Sequence, residues 1–386
     1  MLELRELVPQ FGERETPFYF YDMTLLEETL SALDKANSYG YQVHYALKAN
    51  NNSPILDRIR EYGLGIDCVS GNEILIALNN GFTPDHIVLA GVGKTDKEIK
   101  LAIEHEIFSI NVESLQELRV INELAEQLGK TANISIRINP EMEAGTHHYI
   151  TTGTRENKFG ISSDELLKNL EMIKSLSSVS FIGLHYHIGS QVTDLNRFIG
   201  LTEKVNHLQD ELRAAGISLA HLNVGGGLGI DYKEPAINPI PDFASYFKVF
   251  HENLKVSDSQ QVHFELGRSI VGQCASIISR VVFVKESEHI NFAILDAGMS
   301  DLMRPSLYQA YHKVVNLSSQ SDQKETYDVV GPICETSDFF QRNYKLPITK
   351  RGDLMAIMSA GAYGETMKNN YNARDFAGVV YSTDLK

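Results

Sequence analysis

The chain has 386 residues and a formal net charge of −15, with 43% hydrophobic and 22% charged residues. That length exceeds what one small core supports, so two domains are expected. The acidic balance argues against a nucleic-acid partner.

No apolar run approaches the ~18 residues of a membrane span, and the charged start MLELRELVPQFGERE has no apolar signal core. Three scattered cysteines, Cys68, Cys274 and Cys334, point to a reducing cytoplasmic setting rather than to a disulfide or zinc framework.

In chain order, PFYFY at 17–21 reads as a strand. From residue 41 to 268 one theme repeats: a short β-rich run, a polar or glycine-rich turn, then an amphipathic helix. The runs are 42–47, 65–69, 87–90, 108–112, 134–138, 181–186, 221–224 and 262–266. Between them, apolar residues recur at three and four positions over 73–79, 96–106, 115–129, 163–176, 196–215 and 243–254. Such alternation predicts either a (β/α)8 TIM barrel or a doubly wound open sheet. The barrel is favoured because the unusual residues fall at strand C-termini: Lys48, Asp67, Gly91, Glu113, Arg137, His187, Gly225 and Glu265. A barrel gathers such ends on one face, whereas an open sheet spreads them along an edge.

Beyond residue 268 the pattern changes to strands at 277–285, 291–295, 327–330, 353–358 and 376–381, with a polar loop at 317–325. The expected organisation is a barrel over 23–266. A mostly antiparallel β domain is expected from 1–22 and 267–386, so the N-terminal strand joins the C-terminal one.

Lys48 ends an apolar strand in YALKAN. A lysine at the mouth of a core can lose its proton and attack a carbonyl, forming a Schiff base. A solvated strand cap is the alternative on that segment alone. The run at 225–229, GGGLG, lets backbone N–H groups approach an anion. It is not a dinucleotide fingerprint, because Ile230 stands where the third glycine would be needed, and a tight turn is the alternative. Glu265 in HFELGRSIV would keep a pyridine nitrogen protonated, or would pair with Arg268 at the barrel rim. His185 and His187 share one face of a strand. His187 could cover a cofactor ring, the HxH pair could bind zinc, or both could be structural. Ser190 could donate to a phosphate.

In this order and spacing the motifs FYFYD, YALKAN, GIDCVSGNEI, RINPE, ENKFGI, HYHIGSQ, NVGGGLGIDY, ELGRSIVG, RPSLYQAYH, GPICETSD and GAYG resemble the fold-type III pyridoxal phosphate decarboxylases. Within them, the chain looks like the branch that acts on diaminopimelate. The resemblance covers nearly the whole chain. It implies an alanine-racemase-like barrel with a C-terminal β domain, pyridoxal 5'-phosphate as cofactor, and a homodimer with shared active sites. Lys48 would carry the cofactor, supported by Asp67, with His187 on the ring and Glu265 at its nitrogen. Ser190, Gly226, Gly227 and Tyr363 would hold the phosphate. Arg268, Arg304, Tyr308 and Tyr363 would receive the distal carboxylate of meso-diaminopimelate. Glu335, donated with Cys334 by the partner subunit, would receive the distal amine. Lys48 or Cys334 would return the proton.

The implied activity is decarboxylation of meso-2,6-diaminopimelate to L-lysine, the last step of lysine biosynthesis. Ornithine, arginine and carboxynorspermidine decarboxylation, or a non-catalytic binding protein, are the alternatives. The chain departs from the family at Leu266, where a proline is usual, at Thr336, often a serine, and in the tail NARDFAG.

Overall fold

The N-terminal segment FYFY folds as strand β1 (Phe18–Tyr21), and all four of its side chains are buried. A strand with both faces apolar must be covered on both sides. Phe18 and Phe20 pack with Phe11, Ile278, Leu317, Ala356 and Val380, while Tyr19 and Tyr21 stack on the opposite face. The computed structural model describes residues 3–142 and 158–385. Glu156 and Asn157 of the ENKFGI motif lie outside the described residues.

The eight runs from residue 41 onward form strands β2 (Gln42–Ala46), β3 (Gly65–Cys68), β4 (Ile87–Leu89), β5 (Ser109–Val112), β6 (Ala132–Ile138), β7 (Val179–Tyr186), β8 (His221–Asn223) and β9 (Gln261–Leu266). All pair in parallel in chain order, and β9 pairs with β2, closing an eight-stranded barrel. The open sheet is therefore excluded. Five of the helices between the strands begin at side-chain caps. Ser70, Ser114, Ser162 and Asp242 each accept the N–H three residues on, and Thr95 forms a reciprocal capping box with Glu98. Gly129 ends its helix at φ +64°, where a side chain would be strained. The helix expected over 163–176 is two, Ser163–Lys168 and Leu170–Ser175, because Asn169 leaves helical geometry between them.

Away from the strand C-termini the barrel interior holds three histidines in series. His44 Nε2 lies 3.0 Å from His263 Nδ1, and His263 Nε2 lies 3.0 Å from His221 Nδ1. His44 Nδ1 faces the His86 carbonyl, so it carries a proton. That fixes the rest: His263 donates to His44, and His221 donates to His263. Every ring is neutral, with one donor and one acceptor in use on His44 and His263. Phe108 packs against all three rings.

The second sheet has β10 (Ala275–Lys285), β11 (Asn291–Leu295), β12 (Val314–Asn316), β13 (Lys324–Val330), β14 (Phe339–Pro347), β15 (Leu354–Ile357) and β16 (Gly378–Tyr381). Its order is β12-β15-β10-β11-β13-β14, and β1 lies between β10 and β16. Most pairs are antiparallel. β11–β13 and β1–β16 are parallel. Strands β12 and β14 are absent from the sequence expectation, since FFQRNYKLP offers no sustained apolar alternation and largely faces outward.

The chain divides into two compact units. One is Ala32–Gly229 with Asp242–Gly267. The other is Met1–Ser31, Ile230–Pro241 and Arg268–Lys386. Among the described residues no helix is long and apolar enough to cross a membrane.

Candidate active site

Strand ends supply the barrel's chemistry. β2 runs into a single tight turn, Leu47–Ala49, which carries Lys48. Its Nζ meets Asp67 Oδ2 of β3 at 2.6 Å; Asp67 is 1% exposed. The other Asp67 oxygen is buried with no partner among the described residues. Burial, with the Glu265 charge adding to it, pushes the Asp67 carboxyl upward against the pull of Lys48.

Glu265 lies near the end of β9, buried, with both oxygens held. Oε2 meets His185 Nε2 at 2.9 Å, and Oε1 accepts from Asn223 Nδ2 at 2.7 Å and from Asn111 Nδ2 at 3.2 Å. Burial alone would raise this carboxyl. The His185 imidazole that bonds it, with Lys48 and His187 adding, wins, and Glu265 is held well below the usual carboxylate range. It is an ionised carboxylate at the barrel's C-terminal end.

His187 follows β7 and is half-buried. Its ring is pushed down to about 3, first by its low-dielectric surroundings and then by the Arg137 charge, so it is neutral. Its Nδ1 accepts from the Gly226 N–H at 3.4 Å. HxH is therefore not a ligand pair: His185 turns to Glu265, and His187 turns to the glycine loop.

The first three residues of that loop admit no side chains. Gly225 and Gly227 have φ of +71° and +105°. A Cβ on Gly226 would collide with the Glu265 carbonyl, and one on Gly227 with the Gly189 carbonyl. The loop is laced to the Ser190 segment by Val192, whose N–H donates to Gly227 O at 2.8 Å and whose carbonyl accepts from Gly229 at 3.0 Å. Backbone N–H groups beside Ser190 form a cradle suited to a compact anion.

Two further strand-end residues answer each other. Glu113 and Arg137 form a buried pair at 2.7 Å, and Glu113 also takes the Gly160 N–H at 2.8 Å. Sequence reasoning missed Asn111 and Asn223 as partners of Glu265. Their signal was inward parity on strands β5 and β8, visible only once the register is known.

The β unit carries a separate cluster. Arg268 and Arg304, each 5% exposed, donate from Nη1 to one oxygen, Tyr232 Oη, at 2.6 and 2.8 Å. Arg304 Nη1 also meets His312 Nε2 at 2.8 Å. The Tyr363 ring lies 4.8 Å from the Arg268 guanidinium, and Tyr308 ends the helix that Arg304 begins. Arg268, Arg304 and Tyr363 are thus brought together with Tyr232 and His312, which end the motifs NVGGGLGIDY and RPSLYQAYH but were given no role by sequence reasoning.

Cys334 and Glu335 lie exposed between β13 and β14. The Cys334 N–H donates to Asn372 Oδ1 at 3.1 Å, and Tyr371 Oη donates to Glu335 Oε1 at 2.6 Å. Arg268 bonds Tyr232 and not Glu265, so the rim ion pair is not the use of either residue.

With this geometry in place, the comparisons narrow the chemistry. The family described as "Pyridoxal-dependent decarboxylase, pyridoxal binding domain" matches residues 24–272. A diaminopimelate decarboxylase of Bacteroides thetaiotaomicron is 53% identical over 98% of this chain and 98% of its own. One from Aquifex aeolicus is 42% identical over 98% of this chain and 89% of its own. The crystal structure of diaminopimelate decarboxylase from Helicobacter pylori complexed with L-lysine superposes with a TM-score of 0.91 at 38% identity. It covers 97% of this chain and 93% of that one.

Proposed function

The chain belongs to the pyridoxal-dependent decarboxylases, in the diaminopimelate decarboxylase family, and from that premise we propose that it converts meso-2,6-diaminopimelate to L-lysine and carbon dioxide. The barrel fits pyridoxal 5'-phosphate on three features: a loop from which side chains are excluded, an ionised Glu265, and a primary amine at the same end of the barrel. When bound, that group supplies an aldehyde for an amine and an electron-accepting pyridinium ring.

Lys48 is the residue that would hold it covalently, and Asp67 anchors the Lys48 amine. Glu265 would hold a proton on the pyridine nitrogen. His185, Asn111 and Asn223 keep that carboxylate ionised and still. His187, a neutral imidazole, would cover a ring face. The side-chain-free backbone at Gly226 and Gly227, with Ser190 and Tyr363, would take the phosphate.

Atom balance identifies the end that reacts. L-lysine keeps the L centre, so the carboxylate released is that of the D centre, and the L amino acid is the end recognised at a distance. A proton must replace the lost carboxylate on carbon, from Lys48 or from Cys334 of the partner subunit. Arg268, Arg304 and Tyr308 receive the distal carboxylate, and Glu335 of the partner subunit receives the distal amine. The protein acts as a homodimer in the cytoplasm, where its three free cysteines stay reduced.

The observation that carries the substrate choice is the buried guanidinium pair converging on Tyr232. A substrate with only an amine at its far end has no use for two cations there. The test is turnover of the cofactor-loaded protein with meso-diaminopimelate, L-lysine, L-ornithine and L-arginine in parallel. Lysine formation from meso-diaminopimelate alone is expected. Putrescine, cadaverine or agmatine formation at comparable rates would defeat the assignment.

A further inference from the structure

Tyr232 stands three residues beyond the glycine run, in the segment Ile230–Pro241 that clusters with the β unit rather than with the barrel sequence around it. Its phenol oxygen accepts one hydrogen bond from Arg268 and one from Arg304. Those two bonds use both acceptor positions of a hydroxyl. The O–H proton is then still to be placed, and no acceptor for it stands among the described residues.

Arg304 is fixed from a second side. His312 is fully buried, and its Nδ1 faces the Met358 carbonyl at 2.9 Å, which makes Nδ1 the protonated nitrogen. Nε2 is therefore a lone pair, and it takes Arg304 Nη1 at 2.8 Å. Burial and the Arg304 charge keep this ring neutral. His312 is thus neutral, the Arg268 and Arg304 charges draw the Tyr232 phenol below its ordinary value against its burial, and no carboxylate among the described residues pairs with Arg304. Two guanidinium groups meet at one phenol oxygen, and burying Arg304 there without a carboxylate is costly.

We propose that Tyr232 is the specificity-determining residue for the distal end of the substrate: it ties Arg268 to Arg304 and adds its own phenol proton as a further donor to a carboxylate, while His312 orients Arg304. This deepens the reading given above and rests on it for the identity of the ligand. The ligand class is an amino acid whose far end carries a carboxylate beside an amine. The same diamine without that carboxylate gains nothing from Tyr232.

The test compares the cofactor-loaded wild type with Tyr232→Phe, which removes one oxygen and leaves the ring. L-lysine and cadaverine, which differ only by the carboxylate, are titrated by calorimetry into both proteins. Y232F is expected to weaken L-lysine about tenfold and leave cadaverine unchanged. In turnover of meso-diaminopimelate, KM should rise about tenfold while kcat changes much less, as for loss of binding shared by ground and transition states.

Unchanged L-lysine binding overturns the proposal. So does equal weakening of both ligands together with a lower melting temperature, which marks a structural role. A wild type that does not prefer L-lysine over cadaverine overturns it outright. A wild type that prefers L-lysine through Tyr232 yet forms no lysine from meso-diaminopimelate sustains Tyr232 and defeats the assigned reaction.

Discussion

Lys48 and Glu265 sit at the same end of the barrel with opposite tasks, and their neighbours set both. Lys48 is held by Asp67, a carboxyl that burial pushes upward, so the amine is positioned by a carboxylate more basic than an ordinary aspartate. Lys48→Ala should abolish covalent attachment. After borohydride reduction, mass spectrometry should find the cofactor's added mass on the wild type and not on the variant. Glu265 is the reverse case: three donors keep it ionised despite burial. Glu265→Gln keeps the shape and loses the charge, so kcat should fall about a hundredfold with the cofactor still bound. Equal loss of cofactor absorbance would mean that Glu265 is a binding group rather than an electronic one. The placement of Lys48, Glu265 and the glycines at strand ends was legible in sequence because each is costly where it stands. Asn111, Asn223 and Tyr232 were not, because an asparagine on a strand or a tyrosine on a loop is ordinary until its partner arrives from elsewhere in the chain.

Among the elements, β2, β8 and β9 matter twice, once at each end. Their C-termini lead to Lys48, the glycine loop and Glu265, and farther down the strands sit the joined histidines His44, His221 and His263. Burial holds His44 down to about 4 from an ordinary value near 6.5, and holds His263 and His221 down as well. The folded state therefore binds fewer protons than the unfolded state below pH ~6.5. Stability is fully present above the unfolded value and is lost as pH falls toward the folded one. For His44 alone that loss is on the order of 3 kcal/mol. The melting temperature of the apoprotein should drop steadily between pH 6.5 and 4, and more shallowly in His44→Gln. A flat profile across that window would refute the neutral chain. The eight barrel strands were readable because each is a short apolar run followed by a turn and a helix, five of those helices opened by a side-chain cap. β14 was not, since its half-exposed residues acquire strand geometry from pairing with β13.

At the scale of the molecule, the barrel unit holds the glycine loop and the ionised Glu265, and the β unit holds the guanidinium pair. If Cys334 and Glu335 act across a dimer, inactive Lys48→Ala and Glu335→Ala proteins should complement when mixed. Half of the dimers would be mixed, each with one intact site, so about a quarter of wild-type activity should return. No recovery, with exchange of subunits verified, would place Glu335 in its own subunit's site.

The sequence by itself determined the class of fold, the cofactor chemistry and the family, because strand–helix periodicity is local and because a lysine, a glycine run and a glutamate at strand ends are each marked by type and position. Only the tertiary structure decided who holds whom. Register brought His185, Asn111 and Asn223 onto Glu265, and paired Glu113 with Arg137. It left His187 to the glycine loop and drew Arg268 and Arg304 to the single oxygen of Tyr232. Those contacts join residues tens to more than a hundred positions apart, and no local pattern encodes a partner at that distance.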